Sequence, residues 1–118
     1  TVKAGPGDFS VISDAQMKWN KLGPMTGHGV IWWNEAKKAY LALWCDSWGS
    51  CESAGEGKWS GEALVFEGPM MMGPQQVTVR QTYKGFSDQG YFWTMEASYG
   101  EGKWVPEMSL RYTRRGSR

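Results

Sequence analysis

Apolar and polar positions alternate in short runs along the chain, and turn residues interrupt them about every ten positions, the rhythm of antiparallel sheet and not of helix. The pattern predicts strands near 9–13, 27–33, 39–46, 51–59, 63–67, 76–83, 91–98 and 105–114. Turns are expected at 34–38, 46–50, 60–61, 68–74, 85–90 and 99–103. Connections this short join antiparallel neighbours. The predicted fold class is therefore all-β: an antiparallel meander of about eight strands that tends towards a barrel. The segment 14–22 fits this rhythm least, and Asp14 there is placed to cap a helical turn.

The last three predicted strands can be laid against one another. Val77, Val79, Gln81 and Tyr83 fall opposite Ala97, Met95, Trp93 and Tyr91. Tyr91, Trp93 and Met95 in turn fall opposite Tyr112, Leu110 and Met108. Both alignments bring apolar to apolar, as cross-strand packing requires. The other face carries Thr78, Arg80, Thr82, Thr94, Glu96, Glu107, Ser109 and Arg111. That face is either a solvated exterior or a polar interior holding Arg80 and Glu96.

Composition sharpens this reading. The chain has 118 residues, enough for one domain, with 16 Gly, 8 Trp and 7 Met, a balance that favours turns and strands. With 13 basic and 12 acidic residues there is no basic stripe, so neither nucleic acid nor an anionic membrane is an expected partner. No apolar run is long enough for a spanning helix, and no signal peptide is visible. Residues 1–8 and 115–118 are expected to be flexible, the closing Gly116-Ser117-Arg118 reading as an appended scar. A single His excludes sites that need several imidazoles, and no cofactor is implied.

A set of short motifs occurs in a particular order. It comprises Gly27-His28-Gly29-Val30-Ile31-Trp32-Trp33-Asn34, Lys38-Ala39-Tyr40, Leu43-Trp44-Cys45-Asp46-Ser47, Gly57-Lys58-Trp59-Ser60-Gly61-Glu62-Ala63-Leu64, Arg80-Gln81-Thr82-Tyr83 and Arg111-Tyr112-Thr113-Arg114. Together these resemble a bacterial family, the 1579 domain-of-unknown-function family, from about residue 9 to 114. The resemblance implies a lipocalin-like (calycin-like) barrel with a cavity, and no settled activity. It also implies family members with additional early strands, before the point where this chain starts, and a Val where Cys45 stands.

In an up-and-down meander, the connections at 20–26, 46–50, 68–74 and 99–103 lie at one end. That rim would gather Trp19, Met25, His28, Cys45, Trp48, Cys51, Met70, Met71, Met72, Tyr99 and Trp104, and barrel mouths are common small-molecule sites. Met70, Met71 and Met72 read as a loop tucked over the core, as a ligand-contacting lid, or as soft-metal ligands. Cys45 and Cys51 flank a turn centred on Trp48, close enough for a disulfide in an oxidising compartment and free thiols in a reducing one. Bacterial cytoplasm and periplasm both remain open.

His28, between two glycines, is either a hydrogen-bonded strand-end residue or a functional one. With Asp46 and Ser47 or Ser50 it would make a His–Asp–Ser set suited to ester or lactone hydrolysis, although no Gly-x-Ser-x-Gly elbow is present. Trp33 and Trp44, with Arg80 and Glu96, complete the candidate ligand contacts. Three functions follow, in order of preference. The first is a barrel binding a small apolar or aromatic molecule, with haem on His28 as a weaker variant. The second is a small hydrolase using His28, Asp46 and Ser47. The third is an assembly module that forms a homodimer through exposed strand edges.

Overall fold

The structure, a computed structural model, describes residues 1–19, 23–100 and 102–113, the side chains of Trp19 and Met72 excepted. The last residues of the basic end, 114–118, lie outside the described residues, as do residues 20–22 of the expected helical turn. Two compact units divide the chain, Thr1–Ala54 and Gly55–Arg118.

The first unit holds β1 (Val2–Ala4), a 3-10 turn (Pro6–Asp8), β2 (Ser10–Trp19), β3 (Gly23–Asn34), β4 (Ala39–Asp46) and the start of β5 (Cys51–Ser60). β1 pairs antiparallel with β2, Val2 opposite Ser13, and the 3-10 turn joins the two. β2 pairs with β3 from Ser10↔Trp32 to Trp19↔Gly23. The expected helical turn is thus strand as far as Trp19. Ala15 and Met17 are half-buried while Asp14, Gln16 and Lys18 are exposed, a two-residue period that only an extended chain produces. β3 and β4 pair from Gly27↔Asp46 to Asn34↔Ala39. Their turn is closed by the Lys37 amide, which donates to the Asn34 side chain at 2.9 Å, and by an ion pair between Glu35 and Lys38.

The second unit holds the rest of β5, β6 (Ala63–Met72), β7 (Gln75–Ser87), β8 (Gly90–Ser98) and β9 (Trp104–Thr113). Each strand pairs antiparallel with the next. The Met70–Met72 run is strand and not loop, with Met70 opposite Val77 and Met72 opposite Gln75. Gly73 at φ 64 followed by Pro74 makes a two-residue turn that needs no further chain. The unit's core is Val77, Val79 and Ala97, with Met70 and Met95 packed against it. The fully buried Phe66 meets Tyr83 edge-on at 5.9 Å.

Among the described residues the chain is all-β with nine strands in antiparallel meander, against about eight expected. The β8–β9 register is the expected one, Tyr91↔Tyr112, Trp93↔Leu110 and Met95↔Met108. The β7–β8 register differs by two residues, with Val79 and not Val77 opposite Ala97. A shift of two leaves every side chain on its expected face.

Candidate functional site

Register builds one side-chain row in the first unit. Asp14 on β2 lies opposite His28 on β3, and His28 lies opposite Cys45 on β4. Residues directly opposite in an antiparallel ladder share a face, so these three side chains stand side by side across three strands. His28 Nδ1 lies 2.6 Å from Asp14 Oδ1. A carboxylate only accepts, so Nδ1 carries a proton, and in the neutral imidazole Nε2 is then the acceptor. That bond, first among the causes, holds the Asp14 carboxyl below its ordinary value. Both side chains are about half exposed.

The β4–β5 turn follows directly on the Cys45 end of this row. Cys45 and Cys51 form a disulfide across its base. Asp46 Oδ1 accepts from the Trp48 amide at 3.0 Å and the Ser50 amide at 3.3 Å, while Oδ2 accepts from Trp44 Nε1 at 2.9 Å. Ser47 is clipped to β3, its Oγ accepting from the Thr26 amide at 3.0 Å and its own amide donating to the Thr26 carbonyl at 2.8 Å. The Trp48 indole donates to the Pro24 carbonyl at 3.3 Å. Behind the row, Trp44 lies flat on Gly27 and Gly29, and a Cβ at Gly27 would meet its ring at 2.1 Å.

Asp14, Thr26, Gly27, His28, Cys45, Asp46 and Ser47 line an open pocket of about 410 Å³. Of the expected catalytic set, His28, Asp46 and Ser47 therefore border one pocket. The carboxylate on the imidazole is Asp14 and not Asp46. Asp46 neighbours Cys45, so it falls on the face opposite His28, and its oxygens hold the turn and Trp44. Asp14 escapes a reading by motif because it resembles a helix cap. The signal that finds it is the Ala15/Met17 alternation, which makes 14–19 a strand able to pair with the one bearing His28.

The second unit gathers Arg80, Glu96 and Trp104, adding Glu67. Glu67, Arg80 and Glu96 are in register across β6, β7 and β8. Arg80 Nε is 3.6 Å from Glu67 Oε2, and Nη1 is 3.8 Å from Glu96 Oε1. The guanidinium also lies over the Trp104 ring. The cluster thus sets two carboxylates and one ring around a single cation and links four strands. Met70 packs on the core, Met71 is exposed, and the side chain of Met72 lies outside the described residues, as does that of Trp19. Trp33 stands edge-on to Tyr40 at 5.0 Å and donates to Glu35 at 2.8 Å, away from His28 at the far end of the β3–β4 ladder. Tyr99 donates to Glu107 at 2.8 Å. Among the described residues no three His, Cys, Asp or Glu side chains gather as a metal site, and no helix is long and apolar enough to cross a membrane.

The fold and the pocket define an all-β meander protein with a carboxylate–imidazole pair set across neighbouring strands. The chain belongs to the family described as Protein of unknown function (DUF1579), whose model matches residues 1–114. No curated protein matches the chain.

Proposed function

We propose that the chain binds a small molecule in the His28 pocket. The observation that carries this is the open space of about 410 Å³ bordered by the Asp14–His28 pair and by Ser47. The polar groups bordering it are rich in acceptors: the Asp14 carboxylate, the His28 imidazole and the Ser47 hydroxyl. Acceptors select a donor-bearing ligand, and the nearby carboxylates favour positive over negative charge. A hydroxylated or amine-bearing molecule fits these groups better than the wholly apolar one suggested by the tryptophan and methionine content. Amide NMR with a panel of polyols and small amines tests it. Shifts at Thr26, Gly27 and His28 that vanish in His28→Ala support the reading, and an unmoved spectrum at millimolar ligand overturns it.

A second reading, ester or lactone hydrolysis, is favoured by the Asp14–His28 bond itself, which orients an imidazole as a general base does. Ser47 is the hydroxyl bordering the same pocket, and its Oγ accepts from the Thr26 amide while keeping its own proton to give. An ester and lactone panel with His28→Ala and Ser47→Ala as controls decides it. Turnover unchanged in both variants removes the reading.

A further inference from the structure

We propose that the Cys45–Cys51 disulfide is a redox-active site that exchanges with thiols of low molecular weight, and that His28 drives Cys45 out as the leaving sulfur. Neither half of this follows from the small-molecule reading, which needs no sulfur chemistry.

Three observations combine. First, the two sulfurs differ in access: Cys51, at the start of β5, is exposed, and Cys45, within β4, is half-buried. An incoming thiolate therefore reaches Cys51 Sγ first. Secondly, Cys45 stands directly opposite His28 in the β3–β4 ladder and borders the same pocket. Paired residues of this kind have Cβ atoms roughly 4.5–5.5 Å apart, within reach of an imidazole. Thirdly, His28 is held on its other side by Asp14 at 2.6 Å, so Nε2 is the nitrogen free to take a proton while Nδ1 stays bonded to a carboxylate. The row Cys–His–Asp is the arrangement that stabilises a thiolate as an ion pair. In the oxidised protein this row is masked by the disulfide.

The step balances as follows. A thiolate RS⁻ attacks Cys51 Sγ, an S–S bond forms between R and Cys51, and the Cys45–Cys51 bond breaks. Its electron pair leaves on Cys45 as a thiolate. The proton that RSH lost on becoming RS⁻ is held by His28, giving a Cys45 thiolate beside an imidazolium that Asp14 balances. A second RSH, as thiolate, attacks the mixed disulfide and releases RSSR, leaving both cysteines reduced. Two thiols are oxidised and one protein disulfide is reduced. Exchange is faster the better the leaving thiolate is stabilised. Both cysteines and the row lie in the first compact unit, and the disulfide holds the base of the turn that carries Ser47.

The experiment follows reduction of the folded full chain by excess reduced glutathione at pH 7, with acid quench, alkylation of free thiols and peptide mass spectrometry. Wild type is expected to pass through a glutathione adduct on Cys51 with Cys45 alkylated. His28→Gln is expected to react about tenfold more slowly, in line with a lost stabilisation of the leaving thiolate. Asp14→Asn, nearly the same shape, leaves the imidazole in place without its counter-charge and is expected to slow the step less. It carries the test if His28→Gln does not fold. Rates within about twofold of wild type in the folded variants overturn the proposal, since leaving-group stabilisation would then be absent. An adduct on Cys45 overturns it equally. No ligand is added, so failure here leaves the small-molecule reading standing, and a silent NMR titration leaves this one standing.

Discussion

The guanidinium carbon of Arg80 lies 3.8 Å from the centre of the Trp104 ring, joining β7 to β9 across the intervening strand. The same side chain reaches Glu67 on β6 and Glu96 on β8 at 3.6 and 3.8 Å. Those ion pairs are partly exposed and long, so each contributes little on its own. The planar cation on the ring and the covered methylene stem contribute more. Arg80→Ala is expected to lower stability by roughly 1–2 kcal/mol on these terms, and Arg80→Lys to recover less than half, because an ammonium does not stack. Urea unfolding of the three proteins measures it. A lysine variant as stable as wild type would show that charge alone mattered.

Tyr83, Tyr91 and Tyr112 form a run of rings in the second unit, with Tyr91 stacked on Tyr112 at 4.6 Å and 6.0 Å from Tyr83. Burial, followed by the Tyr112 phenol, pushes Tyr91 up to about 12. Burial raises Tyr83 further and raises Tyr112 as well. A raised native value means the folded state keeps protons that the unfolded state releases. The stabilisation is complete below the ordinary 10 and is lost as pH rises through the raised values. Phenolate absorbance should therefore lag the ordinary tyrosine curve and then rise together with the loss of near-ultraviolet dichroism. A titration that completes smoothly near pH 10, with the fold intact, contradicts this arrangement.

Asp14 has the opposite sign. The His28 hydrogen bond depresses its native value below the ordinary 3.8. Its contribution is present above 3.8 and disappears as pH falls through the lower native value. Wild type should exceed Asp14→Asn in stability at mildly acidic pH, and the margin should close as pH falls below the carboxylate range. Thermal unfolding of both proteins between neutral and strongly acidic pH reads the margin directly. A gap that does not change with pH would mean the pairing with His28 contributes nothing to folding.

How far the sequence carries depends on the kind of information each feature needs. The pairing of Tyr91, Trp93 and Met95 with Tyr112, Leu110 and Met108 was readable because large apolar side chains alternate on both strands. The two-residue slide between β7 and β8 was not, since alternation determines which face a residue takes and not how far one strand is displaced. That offset is set by the Asp88-Gln89 turn and the irregularity between Lys84 and Ser87. The punctuation Gly68-Pro69 marks a loop in sequence. Yet proline's backbone angle is compatible with extended chain, and β6 runs through Pro69 opposite Thr78. At the site, His28, Cys45 and Ser47 were legible as a cluster because one hairpin turn brings them together. Asp14 was not, because it comes from a strand whose composition imitates a helix start.

The packing of Trp44 on Gly27 makes a final prediction about the site. The Trp44 ring occupies the space a Cβ at Gly27 would need, its nearest atoms 2.1 and 2.3 Å from that position. It has little freedom to move away, since its Nε1 is bonded to Asp46, which also holds the Trp48 and Ser50 amides. Gly27→Ala therefore pushes on the ring, and through Asp46 on the turn that positions Ser47. The expected cost is roughly 1–3 kcal/mol, the range for overpacking a filled site. Trp44→Leu removes the obstruction, so the double variant Gly27→Ala/Trp44→Leu should lose less stability than the two single changes added together. Denaturant midpoints for the four proteins give the coupling. Strict additivity would mean that the ring and the glycine do not share this space.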